Sequence, residues 1–206
     1  MNAVPADLSL SSLTLGAYLD ALAAAQPVPG GGAVAGVTLA QANALGAMVV
    51  GYAIGKPKFA AHDGVHRAAL DVFTRGRAVA MALAAEDARA YEHLNRLWKL
   101  PKDDPLRADF QDAVRDAIRA PEESVVLAKS TLDALALLVG TTSASLASDL
   151  RIAIDLAAVG ARAAQENVRI NLPSLTDEAE RTAIATRTEA MLAACETNAR
   201  ALAARA

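Results

Sequence analysis

The chain contains a single cysteine, and aromatic residues make up only 3% of its 206 residues. One cysteine excludes an intrachain disulfide, and Cys195 lies in an alanine-rich stretch, which fits a reducing cytoplasm and an unreactive thiol. The scarcity of aromatic residues argues against a β-sandwich or barrel. Hydrophobic residues nevertheless amount to 53% of the chain, and the excess is mostly alanine. Closely packed helices use small residues in this way, so we expect an all-α protein.

Charge of either sign is not concentrated in any part of the chain. The 20 basic and 23 acidic residues give a net charge of −3 and form no long run or stripe. The chain therefore has no basic patch of the kind that binds nucleic acid, and we expect no nucleic-acid partner. The N-terminal residues lack the basic and apolar regions of a secretion signal. We therefore predict a cytoplasmic protein.

One long stretch lacks charge altogether. Residues Ala33–Gly55 carry no charged side chain and are numerous enough to span a bilayer. The stretch is rich in alanine and glycine rather than leucine and phenylalanine, contains Gln41 and Asn43, and has no aromatic belt. We interpret it as the central buried helix of a bundle, whose two amides need hydrogen-bond partners or a polar cavity, and we expect no membrane association.

Apolar residues at three- and four-residue spacing, interrupted by proline and glycine, predict six to seven helices joined by short connections. Thr14 is a candidate N-cap of the first helix, and Pro121 either begins a new helix or bends the one that contains it. No linker-like stretch divides the chain, so we expect one domain over residues 1–206. The expected architecture is an Ala-rich up-and-down bundle, with tight packing that favours a dimer. The predicted helices are residues 13–26, 32–55, 63–99, 106–119, 121–140, 148–171 and 177–204.

The most informative motif is Pro27-Val-Pro-Gly-Gly-Gly32, which opens the uncharged helix. Three glycines let backbone N–H groups touch a ligand, and the helix that follows directs the positive end of its dipole at the same place. This arrangement suits an anion or a polar heterocycle. The alternative is a tight loop between two helices, and the motif alone does not separate the two.

Asp87 lies within the apolar stripe of the predicted third helix, together with Tyr91 and Trp98. A carboxylate on an apolar face is costly unless it is paired or used. Asp87 therefore indicates either a polar cavity with a shifted pKa or a salt bridge to an arginine on another helix. Glu86 lies off the stripe, as expected of a solvated surface residue.

Three further groups allow a structural or a functional interpretation. Ser148-Asp149 precedes an apolar run and is either an N-cap pair or a ligand contact. Asn167 and Asn171 place two amides on one helix face, although Asn171 is alternatively a C-terminal cap. Lys56 and Lys58 follow a helix end, where they are either solvated or bind a polyanionic tail.

Two histidines, His62 and His66, have the i, i+4 spacing that can present two imidazoles to a metal. A glycine lies between them and no third ligand stands nearby, so we expect no metal. The sequence also lacks a nucleophile elbow, a P-loop and a complete dinucleotide fingerprint.

A series of individually weak motifs follows along the chain. They are Pro27-Val-Pro-Gly-Gly-Gly32, Met48-Val-Val, Gly55-Lys-Pro-Lys-Phe59, Glu86-Asp-Ala-Arg-Ala-Tyr91, Leu100-Pro-Lys102, Ser148-Asp149 and Asn167-Val-Arg-Ile-Asn171. Their order resembles the cyclodeaminase/cyclohydrolase family. That family includes the cyclodeaminase part of formiminotransferase-cyclodeaminase and the stand-alone methenyltetrahydrofolate cyclohydrolases, and the likeness extends from about Leu15 to the last helix.

The resemblance implies an all-helical homodimer that binds a tetrahydrofolate derivative in a cleft between helices, with no metal and no cofactor beyond that substrate. It implies that Asp87 is the acid/base carboxylate and that Lys56 and Lys58 bind the glutamate tail. It also implies that a larger set of residues contacts the substrate. These are Pro29, Gly30, Gly31, Gly32, Tyr91, Ser148, Asp149, Asn167 and Asn171.

Two departures from the family pattern bear on the reaction. Ala33 stands where a serine is common in the cyclodeaminases, and the loop 141–147 lacks the Gly-Asn pattern expected before Ser148-Asp149. Ala33 and the absence of a fused formiminotransferase domain favour hydrolysis of 5,10-methenyltetrahydrofolate to 10-formyltetrahydrofolate. The alternatives are a formimidoyltetrahydrofolate cyclodeaminase that releases ammonia and a non-catalytic folate-binding protein, for which the altered loop is the best support.

Overall fold

The computed structural model describes residues 10–206, which form six α-helices joined by short turns and 3-10 segments. No β-strand occurs among these residues, so the expected all-α bundle is confirmed. The helices are α1 (Leu15–Ala23), α2 (Gly31–Gly51), α3 (Asp63–Trp98), α4 (Phe110–Ala136), α5 (Ala147–Asn171) and α6 (Glu178–Ala203).

Helix α2 lies at the centre of the bundle, mainly against α3 and α5. Its length and composition would also suit a membrane span, but 56% of its most apolar 18-residue segment is buried inside the protein, as in a core helix. Asn43 is fully buried and donates from Nδ2 to the carbonyl of Leu39 at 2.9 Å and to Thr131 Oγ1 at 3.0 Å. Gln41 is exposed. The NH₂ group of Asn43 thus finds its partners inside the protein, while its buried Oδ1 has none among the described residues and Gln41 is accessible to solvent.

Helix α3 is much longer than α2, with 36 residues against 21. The end of α2 meets the start of α3, since the Gly55 N–H donates to Asp63 Oδ1 at 2.9 Å. From this turn α3 runs back along α2 and continues past its start. Helix α5 packs against α2 and runs in the same direction as α3, so α3 and α5 both extend beyond the first residues of α2 and leave a gap there.

Pro121 lies inside α4, which continues through it as one helix, so no new helix begins there. Proline has no N–H, and the carbonyl of Ala117, four residues earlier, therefore loses its helical donor. The side chain of Asn171 at the end of α5 donates to that carbonyl at 3.1 Å. A residue of one helix thus replaces a missing backbone bond of another.

The ends of the helices confirm one capping prediction and correct another. Thr14 Oγ1 accepts a hydrogen bond from the Ala17 N–H at 3.2 Å, as expected of an N-cap. Helix α5 instead begins at Ala147 with Leu146 in the cap position, because a 3-10 turn leads directly into it. Ser148-Asp149 therefore lies in the first turn and is not a cap pair. Cys195 is fully buried, and burial raises the pKa of its thiol to about 11, which fits an unreactive side chain.

Candidate active site

A cleft of about 260 Å³ lies where α3 and α5 extend past the start of α2. The glycines at the start of α2 form its floor, and residues of α3 and α5 form two of its walls. The lining residues are Pro27, Val28, Gly30, Gly31, Gly32, Asp87, Tyr91, Trp98, Asn167, Ile170 and Asn171.

The carboxylate of Asp87 lies directly against Gly32. A Cβ added to Gly32 would be 2.1 Å from Asp87 Cγ and Oδ2 and 2.2 Å from Oδ1, well inside any possible contact distance. The carboxylate thus occupies the space of the missing side chain. At Gly31 an added Cβ would be 3.4 Å from Asn167 Oδ1, about an ordinary contact distance, so the close approach requires glycine at position 32 only.

Asp87 has no counter-ion among the residues that the structure describes. It makes no hydrogen bond or ion pair with any residue of the range 10–206, and it is the only charged residue among those that line the cleft. Burial raises the pKa of its carboxyl group to about 6. An arginine of α4, Arg119, pairs with the neighbouring Glu86 instead, at 2.6 Å.

This pairing resolves the two interpretations of Asp87 and corrects that of Glu86. Consecutive residues of a helix point about 100° apart, so Glu86 faces α4 while Asp87 faces α2. Glu86 is half-buried in its ion pair rather than a freely solvated residue. Asp87 is left in a polar cavity with a perturbed pKa, which is the property expected of a functional carboxylate.

Two asparagine side chains of α5 add hydrogen-bond acceptors to the cleft. Asn171 is 4% exposed, and its Nδ2 donates to Ala117 O and to Asn167 O, at 3.1 and 3.0 Å. These two bonds fix the orientation of the amide, and its buried Oδ1 has no partner among the described residues. Asn167 Nδ2 donates to Ala163 O at 2.8 Å, which leaves its Oδ1 as an acceptor too. The cleft therefore suits a ligand with positive charge or several N–H groups.

Backbone donors lie beside these acceptors at the start of α2. The first helical bond of α2 runs from Val34 N–H to Gly30 O at 3.1 Å, and Gly30 supplies no side-chain cap. The N–H groups of Gly31, Gly32 and Ala33 consequently have no acceptor within the helix. Such groups bind developing negative charge or an oxygen atom well.

The model of the formiminotransferase-cyclodeaminase family matches residues 14–190 of this chain. The chain belongs to that family. It is 32% identical over 176 residues to formimidoyltransferase-cyclodeaminase of Sus scrofa, a match that covers 83% of this chain and 32% of that protein. It is 28% identical over 171 residues to methenyltetrahydrofolate cyclohydrolase of Methylorubrum extorquens, covering 81% of this chain and 82% of the relative.

The family fold is also present in a solved structure. The crystal structure of formiminotetrahydrofolate cyclodeaminase from Thermotoga maritima has a TM-score of 0.84 and 25% identity to this chain, with 94% of this chain and 97% of that chain covered. By contrast, this chain spans about a third of the length of the formimidoyltransferase-cyclodeaminases that it matches. Proteins of the cyclodeaminase name thus include both a chain of about this length and chains about three times as long, so the length of the matched region does not distinguish a cyclohydrolase from a cyclodeaminase.

The structure brings together most of the residues that the family resemblance assigned to the site. Gly30–Gly32, Asp87, Tyr91, Asn167 and Asn171 all line the one cleft. Pro29 is buried between two lining residues, after a cis Val28–Pro29 peptide bond, and does not itself line the cleft. Their contacts with a substrate stay predictions.

Four assigned residues lie elsewhere in the chain. Lys56 and Lys58 follow the far end of α2, about 30 Å along the helix from its first glycines. Ser148 and Asp149 lie in the first turn of α5, about 27 Å along that helix from Asn167. In an up-and-down bundle both places are at the end opposite Asp87. These four residues therefore do not lie at the cleft of the same chain, and their role in substrate binding is untested.

Sequence reasoning did not assign four lining residues, namely Pro27, Val28, Trp98 and Ile170. Trp98 carried a usable signal because it lies on the same helical stripe as Asp87 and Tyr91. Pro27, Val28 and Ile170 lie within two of the motifs, and their apolar side chains carry no sequence signal of a ligand contact.

The two histidines at the far end of the bundle make a structural contact. Their ring centroids are 5.9 Å apart, and the buried His66 has Nε2 3.2 Å from Thr141 Oγ1. Within residues 10–206 no group of three or more His, Cys, Asp or Glu side chains is placed to hold a metal ion.

Proposed function

We propose that this protein hydrolyses 5,10-methenyltetrahydrofolate to 10-formyltetrahydrofolate, without a metal or any cofactor beyond its folate substrate. The observation that carries the proposal is Asp87, a carboxylate on the α3 wall of an acceptor-rich cleft, with no counter-ion among the described residues. The methenyl bridge is an amidinium-like cation, and a cation is the charge that such a site favours. The similarity to the methenyltetrahydrofolate cyclohydrolase of Methylorubrum extorquens supports the same reaction.

In the first step, water attacks the bridge carbon. Asp87 accepts a proton from the attacking water, a new C–O bond forms, and the cation becomes a neutral carbinolamine with the carboxyl group protonated. A carboxyl group with a pKa of about 6 suits this exchange, because it is mostly ionised at neutral pH and is still a competent acid afterwards.

In the second step, the bond between the bridge carbon and N5 breaks. Asp87 returns its proton to N5, the hydroxyl proton leaves to solvent, and the remaining C=O is the formyl group on N10. The N–H groups of Gly31 and Gly32 would stabilise the oxygen while charge develops on it. The Oδ1 atoms of Asn167 and Asn171 would accept hydrogen bonds from the N–H groups of the pterin ring.

A formimidoyltetrahydrofolate cyclodeaminase is the second candidate. Its substrate is also a cationic amidine, and the Thermotoga maritima cyclodeaminase matches this chain over nearly its whole length. The same pocket would then direct N10 rather than water to the bridge carbon and release ammonia. The third candidate, a binding protein without activity, has less support, because the altered 141–147 loop lies at the end of the bundle away from Asp87.

We also propose that two copies associate through the outer face of α2. No residue of this helix is charged, and its outward stripe at three- and four-residue spacing is apolar apart from Thr38 and Gln41. A helix that is apolar on every side is normally covered. An antiparallel, two-fold pairing along α2 would bring Lys56 of the partner subunit toward the glycines of the first. Gln41→Glu would place a charge on this stripe, and light scattering should then report a monomer where the parent chain is a dimer.

The test of the reaction follows the absorbance of the methenyl chromophore in the presence of the parent protein, Asp87→Asn and Glu86→Gln. The last variant changes an adjacent carboxylate that faces α4. We expect parent and Glu86→Gln to consume the chromophore, and Asp87→Asn to be about 100- to 10,000-fold slower. Chromophore formation from 5-formimidoyltetrahydrofolate, with ammonia release and no consumption, would establish the cyclodeaminase instead. Folate binding with neither reaction would leave the binding protein.

A further inference from the structure

Trp98 is an aromatic side chain left partly uncovered at the outer part of the cleft. It is the last residue of α3, lines the cleft and is 38% exposed. An indole offers a large flat apolar face, and most proteins cover such a surface. An uncovered tryptophan that lines a cleft therefore indicates that a ligand covers the indole face.

Two neighbouring rings hold the indole in one orientation. The Tyr91 ring meets it edge-on, with centroids 6.4 Å apart and planes at 73°, and the Phe110 ring lies 6.3 Å away at 59°. Phe110 is in turn covered by the Arg107 guanidinium at 4.5 Å. A side chain fixed in this way loses little conformational entropy when a ring stacks on it.

The position of Trp98 along α3 indicates which ring of a ligand would stack on the indole. It follows Asp87 by 11 residues, or about 16 Å along the helix axis, and helical side chains lean back toward the N-terminus. The inner part of the cleft holds the acceptors, namely Asp87 and the two asparagines, and these suit the N–H groups of a pterin. Trp98 lies beyond this acceptor-lined part, and the exposed Ile170 of α5 adds a second apolar side chain to the lining.

We propose that the indole of Trp98 is the surface on which the aminobenzoyl ring of the substrate stacks, an inference that rests on the proposed folate function. The pterin then lies inside, the bridge carbon lies at Asp87, and the glutamate tail leaves past Trp98. Lys99 and Lys102, both exposed in the turn that follows, are placed to attract this polyanion. Trp98 is a positioning residue here, since it touches the substrate away from the reacting atoms.

The first experiment separates stacking from chemistry by steady-state kinetics. Loss of one aromatic stacking partner weakens binding by about tenfold, so Trp98→Leu should raise KM by about that factor and change kcat less than twofold. Trp98→Phe retains a flat ring and should stay within about threefold of the parent KM. Leu106→Ala alters an exposed apolar residue that does not line the cleft, and should match the parent.

The second experiment identifies the ring by inhibition with two stable ligands. 5-Formyltetrahydrofolate contains the aminobenzoylglutamate, whereas 5-formyl-6-methyltetrahydropterin contains the pterin ring system alone. Trp98→Leu should weaken the first inhibitor by about tenfold and leave the second unchanged. Equal weakening of both inhibitors would overturn the assignment, because the pterin would then be the ring on Trp98.

The parent protein provides a readout that does not depend on any variant. Trp98 is the only tryptophan of the chain, so tryptophan emission, excited selectively over that of the three tyrosines, reports on this part of the cleft. Saturable quenching by 5-formyltetrahydrofolate is expected. Turnover of folate without quenching, or with an unchanged KM in Trp98→Leu, would overturn this inference and leave the proposed function intact. A parent protein that neither binds nor converts folates would overturn both.

Discussion

The carboxylate of Asp87 lies where the side chain of residue 32 would be, so the two positions cannot both carry a side chain without movement. Gly32→Ala should push the carboxylate out of its position and lower kcat/KM about 100-fold or more, since displacement of a catalytic group by about 1 Å has effects of this size. The fold should survive, because the side chain of Asp87 can rotate toward the cleft.

The matched control for this substitution is Gly64→Ala. Gly64 is an exposed residue of the first turn of α3, and an added Cβ there meets no atom within 4 Å. Its activity should equal that of the parent. Wild-type kcat/KM in Gly32→Ala would mean that the observed contact between residues 32 and 87 has no bearing on catalysis.

The pH dependence of turnover should show the pKa of Asp87. Burial raises this pKa to about 6, and the proposed base is the ionised form. The value of kcat/KM should therefore be flat above about pH 7 and fall tenfold per pH unit below about pH 6. Bound cationic substrate favours the carboxylate, so the fall in kcat should come at lower pH than that in kcat/KM. Initial rates from pH 5 to 8 test this; a profile flat to pH 5 would contradict it.

Asp87 should also lower the free energy of unfolding at neutral and alkaline pH. Its folded pKa of about 6 lies above the ordinary value of 3.8, so the native state binds a proton that the unfolded chain lacks between these pH values. Stability from this group is thus greatest at low pH and declines as pH rises through 6. Asp87→Asn should be roughly 1–2 kcal/mol more stable at pH 8, after allowance for partial solvent access, and the gain should vanish near pH 4. Urea denaturation of both proteins at the two pH values measures this difference.

His66 should make the protein less stable as the pH falls, which is the opposite of the effect of Asp87. Burial, followed by the nearby His62, lowers the pKa of this imidazole below the ordinary 6.5. Thr141 Oγ1 donates its own proton to Leu137 O, so it accepts from His66 Nε2, and the buried Nδ1 has no partner among the described residues. The unfolded chain takes up a proton below pH 6.5 that the native state resists, so stability falls as pH decreases.

The variant His66→Leu isolates this contribution. Thermal unfolding at pH 8 and pH 5 should show a smaller loss of Tm on acidification in His66→Leu than in the parent. An equal loss in both proteins would place the origin of the slope elsewhere.

Helix periodicity predicted the position of Asp87, because a carboxylate among apolar residues at three- and four-residue spacing must face a neighbour. It also predicted the bundle, since the uncharged run and the alanine excess leave few other folds. Neither signal indicates which neighbour a residue faces. Periodicity therefore does not predict that Arg119 pairs with Glu86 rather than with Asp87.

The proximity of Gly32 and Asp87 can be predicted by counting residues in both directions from the turn between α2 and α3. Gly32 lies 23 residues before Gly55, and Asp87 lies 24 residues after Asp63, so an antiparallel pair of straight helices brings them to the same level. The same count leaves Lys56 and Lys58 in the turn itself, far from Asp87. The contacts that depend on packing between distant helices, such as Asn171 with Ala117, have no comparable signal.

Pro121 links the backbone of α4 to ligand preference, although it lies outside the cleft. Its missing N–H leaves the carbonyl of Ala117 to Asn171, and that bond keeps the Asn171 oxygen, rather than its NH₂ group, available to a ligand. Pro121→Ala would restore a backbone donor to Ala117 O and leave the Asn171 amide with only one of its two fixing hydrogen bonds, the one to Asn167 O, so the amide could rotate more easily. A rotated amide would present its NH₂ group in place of its oxygen, so a change made for stability would alter which heterocycle the protein selects.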